Sequence, residues 1–281
     1  MTFSIVACSE DRSCFGVAVA SKFLAVGSAV PAVEIGAGAL ATQAYANLAY
    51  RPDGLALLRT GASASEVVAE LTGADERRAE RQLGMLDATG RAATYTGSSC
   101  IPWAGGRSGD GYAIQGNVLA SERVVVAMED AWRSSDPADT LERRLLAVLV
   151  AGDDAGGDRR GRQSAAILVG AAGRGYGGAG DLAVDLRVDD HEHPLVELER
   201  LLELHDLYFG SPDPADLVRL DGAVLEEVAN LLHARGYGAG FAELAPTRAA
   251  LWEWAGIENL EDRILEDAMI DPVVLTYLRE H

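Results

Sequence analysis

The amino-terminal stretch MTFSIVACSEDRSCFGVAVASK constrains the fold more than any other part of the chain. Apolar and polar or small residues alternate over residues 2–7, and the alternation returns over 17–21 after a polar turn at 10–14. Because successive side chains of a strand point to opposite faces, this pattern predicts two strands joined as a β-hairpin. Such a hairpin holds Thr2 rigidly at the end of a sheet.

Thr2 is a candidate nucleophile because it can become the first residue of the mature chain. It follows Met1 directly, and a small second residue allows methionine aminopeptidase to remove the initiator methionine. An amino-terminal threonine supplies a hydroxyl that attacks and an α-amine that accepts the hydroxyl proton. The pKa of an α-amine is about 8, so part of it is neutral at physiological pH. The alternative interpretation is that threonine at position 2 is simply a common start.

The charge of the chain narrows the classes of partner. Its 281 residues include 24 lysine and arginine residues against 43 acidic ones, which gives a net charge of −19. Such a charge disfavours binding to nucleic acid and to anionic membrane surfaces. We therefore expect a small-molecule substrate, no nucleic-acid partner and no membrane partner. Self-association into a homo-oligomer stays open.

Cysteine use and hydropathy bear on the cellular compartment. The three cysteines, Cys8, Cys14 and Cys100, are an odd number without metal-binding spacing, which indicates neither a disulfide framework nor a zinc site. No apolar run approaches the roughly 18 to 20 residues of a membrane span, and the start lacks the basic region of a signal peptide. We therefore expect a cytoplasmic protein with no metal and no cofactor.

The order of the predicted elements indicates an α+β fold. Strands are predicted at 32–34, 39–44, 82–87 and 91–96, and helices at 52–59 and 64–71. Ser63 and Glu66 form a capping-box pattern before the second of these helices. Strands layered after paired helices are typical of a helix–sheet–sheet–helix sandwich. Residues 75–81 are charged almost throughout, which predicts a solvated helical turn.

Two polar residues in otherwise apolar strands are candidates for the site. Gln43 lies at the end of a predicted strand, where it can line a pocket beside Thr2 or simply form a turn. Asn117 lies within a strand predicted over 112–119, after a glycine-rich and aromatic segment of the kind found in binding loops. An asparagine in this position can also bond its own backbone at a bulge.

A loop rich in glycine and arginine precedes the apolar run at 165–169. The loop GDDAGGDRRGRQS places Asp158, Arg159, Arg162 and Gln163 close together. Arginine binds carboxylates through two parallel hydrogen bonds, so these four residues are candidates for binding a substrate carboxylate. Alternatively, the arginines form ion pairs with the acidic surface of the chain.

Several blocks of the sequence resemble one known family. These blocks are VAVASKFLAVGSAVP, GAGALATQAYAN, GLALLRTG, GDRRGRQSAA and VDLRVDDHEHP. Over residues 1–210 the chain resembles the DUF1028 family of domains of unknown function, which is similar to the N-terminal nucleophile (Ntn) hydrolases. The resemblance implies an Ntn-hydrolase-like four-layer αββα sandwich for a first domain, 1–210, and catalysis by Thr2.

The resemblance also implies roles for residues around Thr2. Ntn hydrolases build an oxyanion hole from backbone N–H groups and often an asparagine side chain, and Asn117 is the candidate here. Lys22, across the hairpin from Thr2, would lower the pKa of the amine or hydroxyl through its positive field. The implied activity is hydrolysis of the C–N bond of a small carboxylated amide, ureido or amino-acid-derived compound through an acyl-enzyme. The alternative is a non-catalytic ligand-binding or scaffold protein that keeps the Ntn fold.

The last quarter of the chain differs in character. After a linker at 211–214, three predicted short helices with the segments LLHARGYG and PTRAALWEWAGIENL resemble the peptidoglycan-binding fold, a small helical module. We therefore expect a second, all-α domain at residues 211–281. A role as a lid, a dimerisation module or an interaction module is favoured, because an acidic cytoplasmic chain seldom meets the cell wall.

Overall fold

In a computed structural model, which describes residues 2–238 and 242–281, the chain forms two compact units, Met1–Leu201 and Leu202–His281. The strands of the first unit are β1 (Thr2–Cys8), β2 (Cys14–Ser21), β3 (Pro31–Glu34), β4 (Gly38–Ala44), β5 (Arg81–Asp87), β6 (Ala92–Thr96), β7 (Gly105–Gly109), β8 (Tyr112–Asn117), β9 (Ser164–Ala171) and β10 (Leu182–Val188). The helices that begin in this unit are α1 (Val26–Ala29), α2 (Tyr50–Arg59), α3 (Ala64–Ala74), α4 (Arg123–Ser134), α5 (Leu141–Asp154) and α6 (Pro194–Phe209). The second unit contains β11 (Val218–Arg219), α7 (Gly222–Ala234), α8 (Leu244–Glu258), β12 (Met269–Ile270) and α9 (Pro272–Glu280). Among these described helices, none combines the length and the apolar character that a bilayer crossing requires.

The strand β1 lies in the interior of an antiparallel six-stranded sheet with the order β10–β9–β2–β1–β8–β7. It pairs with β2 on one side, where Phe3 is opposite Ala20, and with β8 on the other, where Thr2 is opposite Asn117. The predicted hairpin is therefore confirmed. Its position between two neighbours brings Thr2 and Asn117 to adjacent places at one end of the sheet.

A second antiparallel sheet, with the order β3–β4–β5–β6, packs face to face against the first. Across this interface β5 contacts β8, and β4 contacts β1. Helices α4 and α5 cover the outer face of the first sheet, while α2 and α3 cover the outer face of the second. The predicted mixture of helices and antiparallel sheets is confirmed, and both sheets are shielded from water on their outer faces.

The interface between the two sheets has an apolar half and a polar half. Inward-facing side chains change from apolar to polar along the strands toward the end that holds Thr2. The apolar half consists of Val6, Val17, Val19, Ala39, Ala41, Leu86 and Ala113. The polar half consists of Ser4, Gln43, Gln82, Gln115 and Asn117, each at most 1% exposed. Burial of the apolar half stabilises the sandwich, so the opposite end can carry groups that contribute to chemistry instead.

Residues 75–81 differ from the predicted solvated turn. Arg81 is the first residue of β5 and is only 8% exposed. Its Nε lies 2.8 Å from Oδ2 of Asp75, whose side chain is also largely buried. A buried charge is tolerated when it is paired and hydrogen-bonded, and the pairing across the turn was invisible in a run of alternating charges.

The second unit packs its helices around one apolar cluster. Trp254 on α8 is 2% exposed and lies in this cluster with side chains from α7 and α9. Arg263 forms a buried ion pair with Asp271 and donates a hydrogen bond to the carbonyl of Leu207 at 2.6 Å. The predicted helical character is confirmed. The β11–β12 ribbon was not predicted, because strands of two residues leave no alternation to detect.

The close approach of the two sheets predicts a strong effect of a substitution at Gly84. A Cβ at this position would lie 1.8 Å from Oε1 of the buried Gln115. We therefore expect Gly84→Ala to lower the free energy of unfolding by about 1–3 kcal/mol, because the core must be displaced. Gly73 in α3 is the matched control, since its Cβ would meet no atom within 4 Å. Gly73→Ala should raise the free energy of unfolding by about 0.5–1 kcal/mol.

Urea unfolding of both variants would check this expectation, because the midpoint reports the change in stability when the slope is unchanged. Equal midpoints for Gly84→Ala and the wild-type protein would show that the sheets are not held this closely.

Candidate functional site

Thr2 is the buried residue on which the candidate site is centred. It begins β1 with 6% of its surface exposed, and its Oγ1 lies 3.1 Å from Oγ of Ser21, at the end of β2. Because Phe3 is opposite Ala20, the hairpin register places residue 21 beside residue 2. Sequence reasoning missed Ser21 and named the next residue, although the predicted hairpin contained the signal needed to find it.

A pocket of about 390 Å³ opens beside Thr2. Its wall is mostly apolar and is formed by Phe23, Val26, Ala29, Val30, Ala44, Tyr45, Ala46 and Leu48. Gln43, Arg77 and Arg81 supply the remaining polar surface. A concave and largely apolar cavity with a few polar groups is the usual form of a small-molecule site. The structure therefore places Thr2 where a bound small molecule can meet its hydroxyl.

Three carboxamides bind one another in the polar half of the sheet interface. Gln43 Nε2 donates to Gln82 Oε1 at 2.8 Å, and Asn117 Nδ2 donates to the same oxygen at 2.9 Å. Gln43 Nε2 also lies 3.4 Å from the carbonyl oxygen of Thr2, so it holds the backbone at the start of β1. These bonds fix the orientation of Asn117, and one of its two amide hydrogens is used by Gln82.

A second set of bonds joins Gln115 to the same network. Gln115 Nε2 donates to Ser4 Oγ at 2.6 Å, and Ser4 Oγ donates to Gln43 Oε1 at 2.7 Å. Among the described residues, Oε1 of Gln115 has no hydrogen-bond partner. That oxygen lies against Gly84, where only the absence of a side chain leaves room for it. Gln82 and Gln115 were not singled out from the sequence, because a glutamine in a strand carries no local signal of its partners.

Three non-glycine residues around the site have left-handed backbone conformations. Ala44 directly follows Gln43 with φ of 66°, and Val118 directly follows Asn117 with φ of 50°. Ala25, at the start of α1, has φ of 51°. A β-branched residue such as valine rarely adopts this conformation, and residues held this way cluster at functional sites. Both strands that carry carboxamides of the network toward Thr2 therefore turn sharply directly after them.

An ion pair beneath the pocket holds one of its wall residues. Arg81 Nε donates to Asp75 Oδ2 at 2.8 Å, and Arg81 Nη1 donates to the carbonyl of Tyr45 at 2.6 Å. Asp75 also accepts hydrogen bonds from Tyr50 Oη at 2.9 Å and from Asn47 Nδ2 at 3.2 Å. The hydrogen bond from Arg81 holds the pKa of Asp75 well below its usual range. Burial, followed by the hydrogen bond to Asp75, raises the pKa of Tyr50.

The structure places Lys22 away from the Thr2 hydroxyl. Its side chain is exposed and its Nζ lies 3.3 Å from the carbonyl oxygen of Arg162. Its backbone N–H donates to Oδ2 of Asp158 at 2.8 Å, so Asp158 ties the end of the hairpin to the arginine-rich loop. The pocket beside Thr2 is lined by neither residue.

The remaining residues of the predicted carboxylate-binding loop also have partners within the protein. Arg162 Nε donates to Asp153 Oδ2 at 2.7 Å, and Gln163 Nε2 donates to Asp190 Oδ1 at 3.0 Å. The backbone N–H of Arg159 lies 3.4 Å from the carbonyl of Val118. Among the described residues that line the pocket, the cations are instead Arg77 and Arg81, which come from the charged segment that was predicted to be a solvated turn.

Metal ligation is not a feature of the described part of the chain. In residues 2–238 and 242–281, no group of three or more histidine, cysteine, aspartate or glutamate side chains could hold a metal ion. His191 and His193 precede α6, where Nδ1 of His191 accepts a hydrogen bond from the backbone N–H of His193 at 3.0 Å. This bond satisfies a backbone donor near the start of the helix.

Comparisons with known proteins match both parts of the chain. A family model described as "Family of unknown function (DUF1028)" matches residues 2–198, and one described as "Putative peptidoglycan binding domain" matches residues 208–278. The crystal structure of protein SPO2555 from Silicibacter pomeroyi, whose title names the DUF1028 family model, is similar at 35% identity and a TM-score of 0.66. That match covers 73% of this chain and 89% of the other. No curated protein matches the chain.

Both family resemblances predicted from the sequence are thereby confirmed at the level of the family models. Neither description names an activity, and the similar crystal structure carries the same family name without a function. The relation to Ntn hydrolases, the roles of Thr2, Lys22 and Asn117, and the substrate all stay predictions.

The ion pair of Asp75 and Arg81 predicts a pH-dependent contribution to stability. Because the pKa of Asp75 is lowered in the folded state, its contribution is present above the ordinary pKa of an aspartate and is lost as the pH falls through the folded value. We expect Asp75→Asn to lower the free energy of unfolding by about 2 kcal/mol at pH 7. The difference from the wild-type protein should shrink as the pH falls from about 5 to about 2.

Urea unfolding at several pH values would measure this difference. The exposed pair of Arg200 and Glu197 provides the control, and Glu197→Gln should have a small effect at pH 7 because solvent screens surface ion pairs. A difference for Asp75→Asn that stays constant down to pH 2 would contradict the assigned role.

Proposed function

The chain belongs to the DUF1028 family, and we propose that it is an amidohydrolase in which Thr2 attacks the carbonyl carbon of a small amide. One observation carries the proposal. The hydroxyl of Thr2 is held at a strand end, beside Ser21 Oγ, in a pocket suited to a small molecule. The pocket is mostly apolar, and hydrogen bonds and charges act more strongly where water is excluded.

The proposed reaction begins when Met1 has been removed and the α-amine of Thr2 is free. The neutral amine accepts the hydroxyl proton while Oγ1 forms a bond to the carbonyl carbon of the substrate. Collapse of the tetrahedral intermediate breaks the C–N bond, and the protonated amine gives its proton to the leaving nitrogen. Water then attacks the resulting ester, the amine accepts a proton from that water, and the acid and free Thr2 are released.

We assign the oxyanion role to Asn117. It is the register partner of Thr2 on β8, and Gln82 accepts a hydrogen bond from its Nδ2 group. The second hydrogen of that amide is the proposed donor to the developing oxyanion. A donor that is already oriented needs no rearrangement as the negative charge develops, which is the basis of oxyanion stabilisation. Ser21, which contacts the Thr2 hydroxyl directly, is the proposed group that orients the nucleophile.

The proposed substrates are small carboxylated amides, ureido compounds or amino-acid derivatives. Their negative charge suits Arg77 and Arg81, which line the pocket. Lys22 follows Ser21 directly and adds positive charge near the end of the hairpin, although its amine binds the Arg162 carbonyl. Self-association and the role of the C-terminal unit are independent of this proposal.

The proposal predicts that Thr2→Ala abolishes turnover without unfolding the chain, whereas Thr2→Ser keeps measurable turnover because it keeps a hydroxyl. The intact mass of the purified protein is measured first, and it should correspond to a chain that begins at Thr2. A panel of amides and ureido acids is then assayed with the wild-type protein and both variants. Full turnover by Thr2→Ala would end the proposal. Retained Met1 would favour the alternative of a ligand-binding protein, because the α-amine would be blocked.

Loss of the oxyanion donor should affect the chemical step more than substrate binding. We expect Asn117→Ala to lower kcat about 100-fold or more, as loss of one such donor does in other hydrolases, with KM near the wild-type value. Because Asn117 is buried, the folded fraction of the variant is measured by thermal unfolding and used to correct kcat. A corrected kcat equal to that of the wild-type protein would remove Asn117 from the mechanism.

A further inference from the structure

The charges that line the pocket are opposite to those of the chain as a whole. The chain has 43 acidic and 24 basic residues, yet among the described residues that line the pocket two are arginines and none is acidic. A neighbouring groove is lined by Asp53, Glu70, Asp75 and Glu76 and shares only Arg77 with the pocket. A local excess of positive charge in an acidic protein favours a negatively charged ligand in the pocket.

The two arginines differ in how far they are committed to partners within the protein. Arg81 is buried and donates to both oxygens of Asp75 and to the Tyr45 carbonyl. Arg77 is 61% exposed in its side chain and pairs with Glu80, which is also partly exposed. Ion pairs between exposed side chains contribute little, so a ligand carboxylate can replace Glu80 at Arg77. Arg77 is therefore the cation of the pocket that is available to a ligand.

The mouth of the pocket presents apolar side chains to solvent. Phe23 is 53% exposed, Leu48 is 49% exposed and Tyr45 is 62% exposed, and all three line the pocket. The guanidinium of Arg77 lies 6.0 Å from the centre of the Tyr45 ring, so a cation and an apolar surface adjoin at the same wall. Burial of an apolar ligand group against these side chains is favourable in proportion to the area removed from water.

We propose that the pocket binds N-acyl amino acids, with the acyl chain against Phe23 and Leu48 and the carboxylate at Arg77. Arg77 is then the residue that determines specificity for a carboxylate. This proposal rests on the proposed function for the cleavage step, in which water adds across the amide to give a carboxylic acid and an amino acid. Binding itself does not depend on that step.

The experiment measures binding by titration calorimetry with the full chain carrying Thr2→Ala, which cannot turn over the ligand in the proposed mechanism. Alanine is also a small second residue, so removal of Met1 is retained. The probes are N-hexanoylglycine, its neutral carboxamide N-hexanoylglycinamide, and N-acetylglycine, which lacks a long acyl chain. We expect N-hexanoylglycine to bind at least tenfold more tightly than either of the other two.

A second substitution tests Arg77 against a matched control. Arg78 is the next residue, is also exposed, and is not among the residues that line the pocket. In the Thr2→Ala background, Arg77→Gln should weaken binding of N-hexanoylglycine about tenfold and leave N-hexanoylglycinamide unchanged. Arg78→Gln should change neither value.

The outcomes separate this proposal from the proposed function. Absence of N-hexanoylglycine binding, equal binding of the acid and the carboxamide, or equal effects of Arg77→Gln and Arg78→Gln would each overturn the proposal. If the wild-type protein hydrolyses amides but shows no dependence on Arg77, the function stands and the specificity assignment falls. If the binding pattern is as expected but no hydrolysis occurs, the assignment stands and the amidohydrolase function falls.

Discussion

The site depends on a hydrogen-bonded network of carboxamides between the two sheets. A buried amide without partners is destabilising, so the polar half of the interface is stable only because its side chains bind one another. Gln43, Gln82 and Asn117 come from three different strands, and Gln43 also contacts the backbone of Thr2. The network therefore fixes the ends of these strands relative to Thr2 and does so without placing a charge in the interface.

The division of the interface into two halves explains how one sandwich can be both stable and open at one end. The apolar half has ordinary core packing, with Val6, Val17 and Leu86 fully buried. At the other end, Ala44 and Val118 turn the chain away directly after Gln43 and Asn117. Strained conformations of this kind persist only where the surrounding structure holds them, and here the carboxamide network does so. The result is a rigid strand end next to a pocket, which is the arrangement that precise positioning of a nucleophile requires.

Sequence patterns predicted the parts of the structure whose causes are local. Alternation gave the hairpin, and the capping box of Ser63 and Glu66 marked the start of α3 as observed. The partners of long polar side chains are not local. Arg162 lies in a loop whose composition is typical of carboxylate binding, yet Asp153 on α5 takes its guanidinium. Arg77 and Arg81 were assigned to solvent because only the folded chain shows that the segment adjoins the pocket.

A nucleophile at a strand end imposes a cost and an advantage on the proposed mechanism. The advantage is that the base and the nucleophile belong to one residue, so the pairing of β1 with β2 and β8 orients both. No second element has to position a histidine. The cost is that every other group must arrive at the same strand end from elsewhere in the sandwich. Ser21 arrives on β2, Asn117 on β8, Gln43 on β4 and Gln82 on β5. A single register slip in either sheet would move one of these side chains to the opposite face, and the antiparallel pairing of interior strands is what prevents it.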